Sequence, residues 1–243
     1  MHVLKERGRT LHVWRNINLS ISRILIFVSL FILGVLLFVE GWFGYESVGL
    51  ILIPVSYVLG IAAYRKYVIW GIGEIGEKSV TEALDPLGDE YLLINGAVMP
   101  SNRGDTDHIL IGPNGIFVFE TKHYSGEVSC DGDHWSRRKI GRAGAPYGIK
   151  IGKPGNQVKR NANVLKDFIL AHKEEIFKRQ APHIWVHGAV VFTNPLVTLN
   201  IKNPTVDVLK TEEVCGFVKG QKGAKFSNDE VEEMANVILK YAG

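Results

Sequence analysis

Hydrophobic and polar positions change their period several times along the chain, and the first change is the largest. From Ile24 to Val39 every residue is aliphatic or aromatic apart from Ser29 and Gly34. Extended back to Leu19, the run takes in Arg23 near its end, where a long cationic side chain can snorkel toward headgroups. A helix of about 20 residues crosses a hydrocarbon core of roughly 30 Å. A second run without charge, Ser47 to Tyr64, includes Pro54. Between them lies EGWFGYES, whose Trp42, Phe43 and Tyr45 suit a membrane–water interface. The pattern predicts a transmembrane hairpin with helices over about 19–39 and 47–64. Neither run has the polar stripe of a soluble amphipathic helix. The flanking EGWFG lacks the small-x-small cleavage site of a secretory signal.

After residue 70 the pattern becomes that of an α/β unit. Gly73 to Leu84 has apolar residues at helical spacing, and acids near its start suit the positive end of a helix dipole. Tyr91 to Val98 predicts a strand. Next, GDTDHILIGPNGIFVFETK places two β-rich runs around Gly112-Pro113-Asn114-Gly115, a strong hairpin signal. Gly126 to Trp135 predicts a short strand pair, and the Gly-rich, basic residues 136–153 predict a loop. Pro154 opens a helix to about Arg179, with Val158, Ala162, Leu165, Ile169 and Ile176 on one face. Trp185 to Thr193 is nearly continuous β-former, the mark of a strand covered on both faces. A short strand follows at Val206 to Leu209. Two closing helices start after Thr211 and at Ser227, where Glu230 three residues on completes a capping box. The order αβββαβ predicts a mixed central sheet flanked by helices.

Composition separates the two parts. The chain has 243 residues, 46% of them hydrophobic and 22% charged, which excludes disordered and collagen-like classes. Two cysteines, Cys130 and Cys215, exclude a disulfide scaffold and a four-thiolate zinc site, and fit reduced cytoplasmic thiols. The net charge of +3 is unevenly spread: residues 1–70 carry a net positive charge, and residues 71–243 are close to neutral. Lys5, Arg7, Arg9, Arg15 and Arg23 precede the first span, and Arg65 and Lys66 follow the second. The loop between has only Glu40 and Glu46. The positive-inside rule then places both termini in the cytoplasm. The expected organisation is a basic segment with two inner-membrane helices over 1–70 and a cytoplasmic domain over 71–243.

The candidate chemistry sits in the hairpin. With Gly112 to Gly115 as the turn, Asp107 stands opposite Glu120, and Asp105 opposite Lys122. Alternation puts all four on one face, together with Ile109, Ile111, Ile116 and Val118. The other face carries Leu110, Phe117 and Phe119, with His108 and Thr121 further out. His108, on the face away from the carboxylates, reads as a packing or partly exposed histidine and not as a ligand. Opposed carboxylates on a buried sheet repel each other. A divalent cation between them removes that conflict, and oxygen ligands suit Mg²⁺ or Mn²⁺. Lys122 then stands beside the metal, able to act on a water or on developing negative charge. The plainer alternative is a surface ion pair between Asp105 and Lys122, which leaves Asp107 opposite Glu120 unexplained.

An aspartate, a hairpin and Glu-x-Lys resemble the signature of the PD-(D/E)xK nucleases, which share the restriction-endonuclease-like fold. More closely, GEIGEK, GDTDHILIGPNGIFVFETKHYSG and a later helix with Gln157 resemble the nuclease-related domain (NERD) family over roughly Gly73 to Gly220. The resemblance implies that Asp107 and Glu120 bind metal together with the Thr121 carbonyl. It makes Lys122 the catalytic lysine, Glu77 the helix acid of GxxGE, and Gln157 the glutamine of the following helix. Glu74, three residues before Glu77, is an alternative for its role. The family's proline before the aspartate is Thr106 here, and the tyrosine four residues after the glutamine is Asn161.

The substrate follows from charge. Arg137, Arg138, Lys139, Arg142, Lys150, Lys153, Lys159 and Arg160 lie in a stretch without an acid, interleaved with glycines, and Trp135 and Tyr147 offer stacking surfaces. Such an arm can track a phosphate backbone, although a solvated loop or one lying on anionic lipid fits the same residues. No phosphate-loop motif is present. The reading is a membrane-tethered nuclease using Mg²⁺ or Mn²⁺ and no organic cofactor, acting on DNA ahead of RNA. The alternative is a non-catalytic nucleic-acid- or protein-binding module anchored at the bilayer. The sequence leaves the oligomeric state open.

Overall fold

The computed structural model describes the chain apart from residues 6, 41–43, 101, 103, 142–143, 224 and 243, and describes the main chain alone at residues 5, 7–13 and 40. Trp42, Phe43 and Arg142 therefore lie outside the described residues. Two compact units form: Leu11–Glu74, and Met1–Thr10 with Ile75–Gly243.

The first unit is a pair of long helices, drawn from α1 (Arg7–Glu40) and α2 (Glu46–Leu84). Both are long and apolar enough to cross a membrane, with mean hydropathies of 2.6 and 1.9. Leu25, Leu36, Leu50, Ile51 and Val58 are exposed along them. The two meet where side chains are smallest. A Cβ at Gly49 would lie 2.6 Å from the Gly34 carbonyl oxygen and 2.8 Å from the Phe38 nitrogen, so only glycine permits this approach.

The second unit is a mixed α/β fold built on two sheets. Its main sheet has six strands: β1 (His2–Lys5), β2 (Leu92–Ala97), β3 (Thr106–Gly112), β4 (Gly115–Lys122), β8 (Val186–Phe192) and β10 (Asp207–Lys210), adjacent in that order. The pairs β2–β3 and β3–β4 are antiparallel; β1–β2, β4–β8 and β8–β10 are parallel. The second sheet runs β7 (Pro146–Ile149), β6 (His134–Ile140), β5 (Gly126–Asp131), β9 (Val197–Lys202). The expected αβββαβ order is present, from the end of α2 through β2, β3 and β4 to α3 (Pro154–Ala171) and β8.

The hairpin has the predicted register, with Gly112 opposite Gly115 and His108 opposite Phe119. Its continuous apolar runs follow from cover on both faces. Ile109, Ile111, Ile116 and Val118 pack with Leu165 and Ile169 of α3 and with Met234 and Ile238 of α6 (Asn228–Tyr241). Leu110, Phe117 and Phe119 pack on the other side with Val80 and Leu84 of α2, and with Val214 and Val218 of α5 (Val214–Gly220). Burying this many aliphatic side chains, at about 1.5–3 kcal/mol each, is the main stabilising term.

The structure departs from the expectations at four places. Residues 136–153 are not a loop: β6 and β7 form an antiparallel hairpin there, because Trp135 and Arg137 alternate inward with outward Ser136 and Arg138. The helix expected from Gly73 is the last third of α2, so Glu74 and Glu77 sit in a helix interior and the dipole does not explain them. The helix from Pro154 stops at Ala171, and Lys173–Ile176 forms a separate short turn, α4. Strands β1 and β9 were not anticipated, being too short or too polar to show a clear period.

Candidate active site

The main sheet's central hairpin ends at the two carboxylates. Asp107 is 5% exposed and Glu120 is 3% exposed, on strands whose remaining inward positions are aliphatic. Burying two such groups is costly unless charges and hydrogen bonds compensate. The ladder between β3 and β4 stops at His108 and Phe119; just beyond it, the Thr121 N–H donates to Asp107 Oδ2 at 2.8 Å. The Asp107 side chain thus takes a donor that a neighbouring strand would otherwise serve. Lys122 Nζ donates to Glu120 Oε1 at 2.6 Å, two residues along the same strand and on the same face. The partner of Lys122 is thus Glu120, and the surface-pair alternative with Asp105 does not describe it. Burial opposes the charge on Lys122, but Glu120 and then Asp107 outweigh it, holding the ammonium above the ordinary lysine range.

Helix α3 roofs this face. Gly188 of β8 lies opposite Val118, and a Cβ there would collide with Val158 of α3, so the helix backbone lies close over the strands. The approach aligns Gln157, half-buried, and Asn161, 1% exposed, one turn apart. Asn102, in the segment entering β3, donates through Nδ2 to Asn161 Oδ1 at 3.0 Å. Among the described residues, Asn102 Oδ1, Asn161 Nδ2 and Thr106 Oγ1 are buried without a hydrogen-bond partner, the kind of group that ordered water serves. Neither the Asn102–Asn161 pair nor these atoms carried any signal in the sequence beyond Asn161 replacing a tyrosine.

Helix α2 closes the opposite side. A Cβ at Gly76 would meet Thr193 Oγ1 at 3.0 Å, His123 Cβ at 3.1 Å and Thr121 Cγ2 at 3.2 Å. This contact sets the turn bearing half-buried Glu77 against the end of β4, while Glu74 is exposed. Among the described residues no three His, Cys, Asp or Glu side chains gather as a metal cluster, so the site offers a carboxylate pair. Two buried carboxylates, one ammonium and the adjacent Thr121 carbonyl make a hard, net-negative donor set, which fits a hard divalent cation.

The basic residues divide by what they touch. Arg137 stacks its guanidinium 4.5 Å above the Tyr124 ring and donates from Nε to the Ser125 carbonyl at 3.0 Å. Lys159 pairs with Asp133 at 2.7 Å. Both have structural partners that the sequence did not reveal. Arg138, Lys150, Lys153 and Arg160 are exposed, and Lys139 is half-buried. They project from a strand pair and a helix start, not from a pliable arm.

A helix-flanked mixed sheet whose central hairpin carries a buried aspartate and Glu-x-Lys defines a nuclease-related α/β protein. The chain belongs to the nuclease-related domain (NERD) family, whose model matches residues 72–193. It is also 26% identical over 194 residues to the uncharacterized protein pXO1-01 of Bacillus anthracis, covering 78% of this chain and 84% of that protein. No solved structure matches.

Proposed function

We propose that the chain is a membrane-tethered nuclease that hydrolyses phosphodiester bonds of nucleic acid, DNA ahead of RNA, with Mg²⁺ or Mn²⁺. The observation that carries this reading is the buried pair Asp107 and Glu120 with Lys122 at 2.6 Å. A fold that needed only to bind would have no use for two desolvated carboxylates beside each other. Asp107, Glu120 and the Thr121 carbonyl would hold the ion, which when bound supplies a Lewis acid and a more acidic water. Lys122 presents an ammonium beside that position, placed to orient the water and offset charge on the phosphate. On this reading Glu77 of α2 and Gln157 of α3 would complete the site. Arg138, Lys139, Lys150, Lys153 and Arg160 would take the backbone phosphates, a salt-sensitive contact.

Two apolar helices between parts of one folded unit support the tether. Residues 1–10 and 75–243 belong to the same unit, which supports a topology with the chain before the first apolar helix and after the second on one side of the bilayer. The basic flanks make that side the cytoplasm, with the hairpin in the inner membrane.

The test uses the full chain in nanodiscs with Asp107→Ala and Glu120→Ala. Mn²⁺ binding and cleavage of single- and double-stranded DNA and RNA are measured together. Metal-dependent cutting by the wild type that both variants lose is the expected result. Saturable metal binding without cleavage of any substrate points instead to the binding module, and no binding at millimolar metal overturns the metal site.

A further inference from the structure

His108 is completely buried one residue after Asp107, and both ring nitrogens are bonded. Nδ1 lies 2.7 Å from Asn95 Oδ1 on β2, and Nε2 lies 3.1 Å from Thr121 Oγ1 on β4. The Asn95 amide continues outward, donating from Nδ2 to Thr81 Oγ1 on α2 at 3.4 Å; the Thr81 hydroxyl in turn donates to the Glu77 carbonyl at 3.3 Å. A carbonyl oxygen only accepts, so Nδ1 carries the ring proton in this arrangement. Nε2 is then the acceptor, and the Thr121 hydroxyl is the donor. Every link in the relay has a donor at one end and an acceptor at the other.

The relay joins three elements that bear candidate site residues, α2 at Glu77, β3 beside Asp107 and β4 at Thr121, through Asn95 of β2. Thr121 is the residue between Glu120 and Lys122, and its N–H is the donor to Asp107. Its side chain and its main chain are thus held from two sides at once. The ladder between β3 and β4 ends at His108 and Phe119, while β2 still pairs with β3 and β8 with β4 through Lys122, so across the β3–β4 gap the geometry is set by these side-chain bonds. We infer that His108 is a positioning residue whose bridge between Asn95 and Thr121 locks Thr121, and through it Glu120, Lys122 and Asp107, in the arrangement the nuclease reaction uses. The inference rests on the nuclease reading above. Complete burial and opposite-face placement keep His108 from touching substrate or metal itself.

The test compares His108→Phe, His108→Gln, His108→Asn and Thr121→Val in the full chain, with kcat, KM, Mn²⁺ affinity and melting temperature measured on each. Loss of a residue that orients ligands typically costs about 10–100-fold in activity or metal affinity. That loss is expected in kcat for His108→Phe, with KM for the oligonucleotide unchanged and the protein still folded. His108→Gln keeps an acceptor near the Nε2 position and recovers part of the rate; His108→Asn, which reaches only toward Asn95, does not. Thr121→Val combined with His108→Phe loses little more than either alone, since both break the same bond. In the wild type, ¹⁵N shifts of His108 report one tautomer with the proton on Nδ1, independent of turnover. Wild-type kcat in His108→Phe, activity loss that only tracks unfolding, or a ring exchanging between tautomers overturns the inference. A wild type inactive with every metal and substrate instead overturns the nuclease reading, while the tautomer measurement still reports on the relay.

Discussion

Glu230 shows how one side chain can serve two local demands. Its carboxylate accepts from the Ser227 N–H at 2.9 Å, while the Ser227 hydroxyl accepts from the Glu230 N–H at 3.3 Å, completing the predicted capping box. The same carboxylate pairs with Arg179 at 2.7 and 3.0 Å. The Arg179 hydrogen bond holds Glu230 below the ordinary carboxylate range, against a burial contribution of opposite sign. A lowered value means that the stabilisation is present above the ordinary glutamate range and is lost as pH falls through the lowered one. Urea melts of the wild type and Glu230→Gln should therefore differ near neutrality and converge in acid. Ser227→Ala should cost about 1 kcal/mol in the same assay. At the site, Lys122→Met should abolish cleavage while leaving Asp107 and Glu120 to bind Mn²⁺, a separation that calorimetry and a nuclease assay read together.

At the scale of elements, the glycines decide which surfaces touch. Gly76 has neighbours on three sides at 3.0–3.2 Å, and Gly73, one turn earlier, has none within 4 Å of a Cβ. Gly76→Val should lower stability by about 1–3 kcal/mol through overpacking, and Gly73→Ala should be neutral or stabilising by up to about 1 kcal/mol. Denaturation of both variants checks the contrast. The pairing of β3 with β4 was legible because a four-residue turn and strict alternation determine register. The second sheet was not: its strands are short and polar on one face, and its basic, Gly-rich composition matches that of a loop. Glu77 was legible as a residue, but its setting was not, because the charged end of α2 looks like a fresh helix start when read without the 27 residues that precede Gly73 in the same helix.

For the whole molecule, the informative feature is that β1 pairs with β2, returning the first residues of the chain to the sheet. On the membrane-tethered reading proposed above, both flanks of the apolar pair share one side of the bilayer. Tyr45→Cys should then react with an impermeant maleimide in intact cells, whereas Asn203→Cys should react only after lysis. Equal labelling of both would remove the hairpin. The spatial split of the basic residues also belongs to this scale. Arg137 and Lys159 bind Tyr124, Ser125 and Asp133 within the domain, so replacing them should destabilise it, while Arg138→Ala with Lys150→Ala should weaken DNA binding and flatten its salt dependence.

What the sequence determined alone is local or periodic: two apolar runs long enough for a membrane, a hairpin turn with its register, a capping box, and a carboxylate pair with a lysine on one strand face. Each follows from chemistry within a few residues, or from the two-residue repeat of a strand. Only the tertiary structure decided which groups converge from afar. Thr81, Asn95 and Thr121 lie up to 40 positions apart in the sequence, yet they meet around His108 because α2 packs over β2, β3 and β4 on one face. Asn102 likewise meets Asn161 only because Gly188 lets α3 settle onto the other. A sequence records side chains that can bond; which of them do depends on how closely layers approach, and here that distance is set by glycines and by core packing.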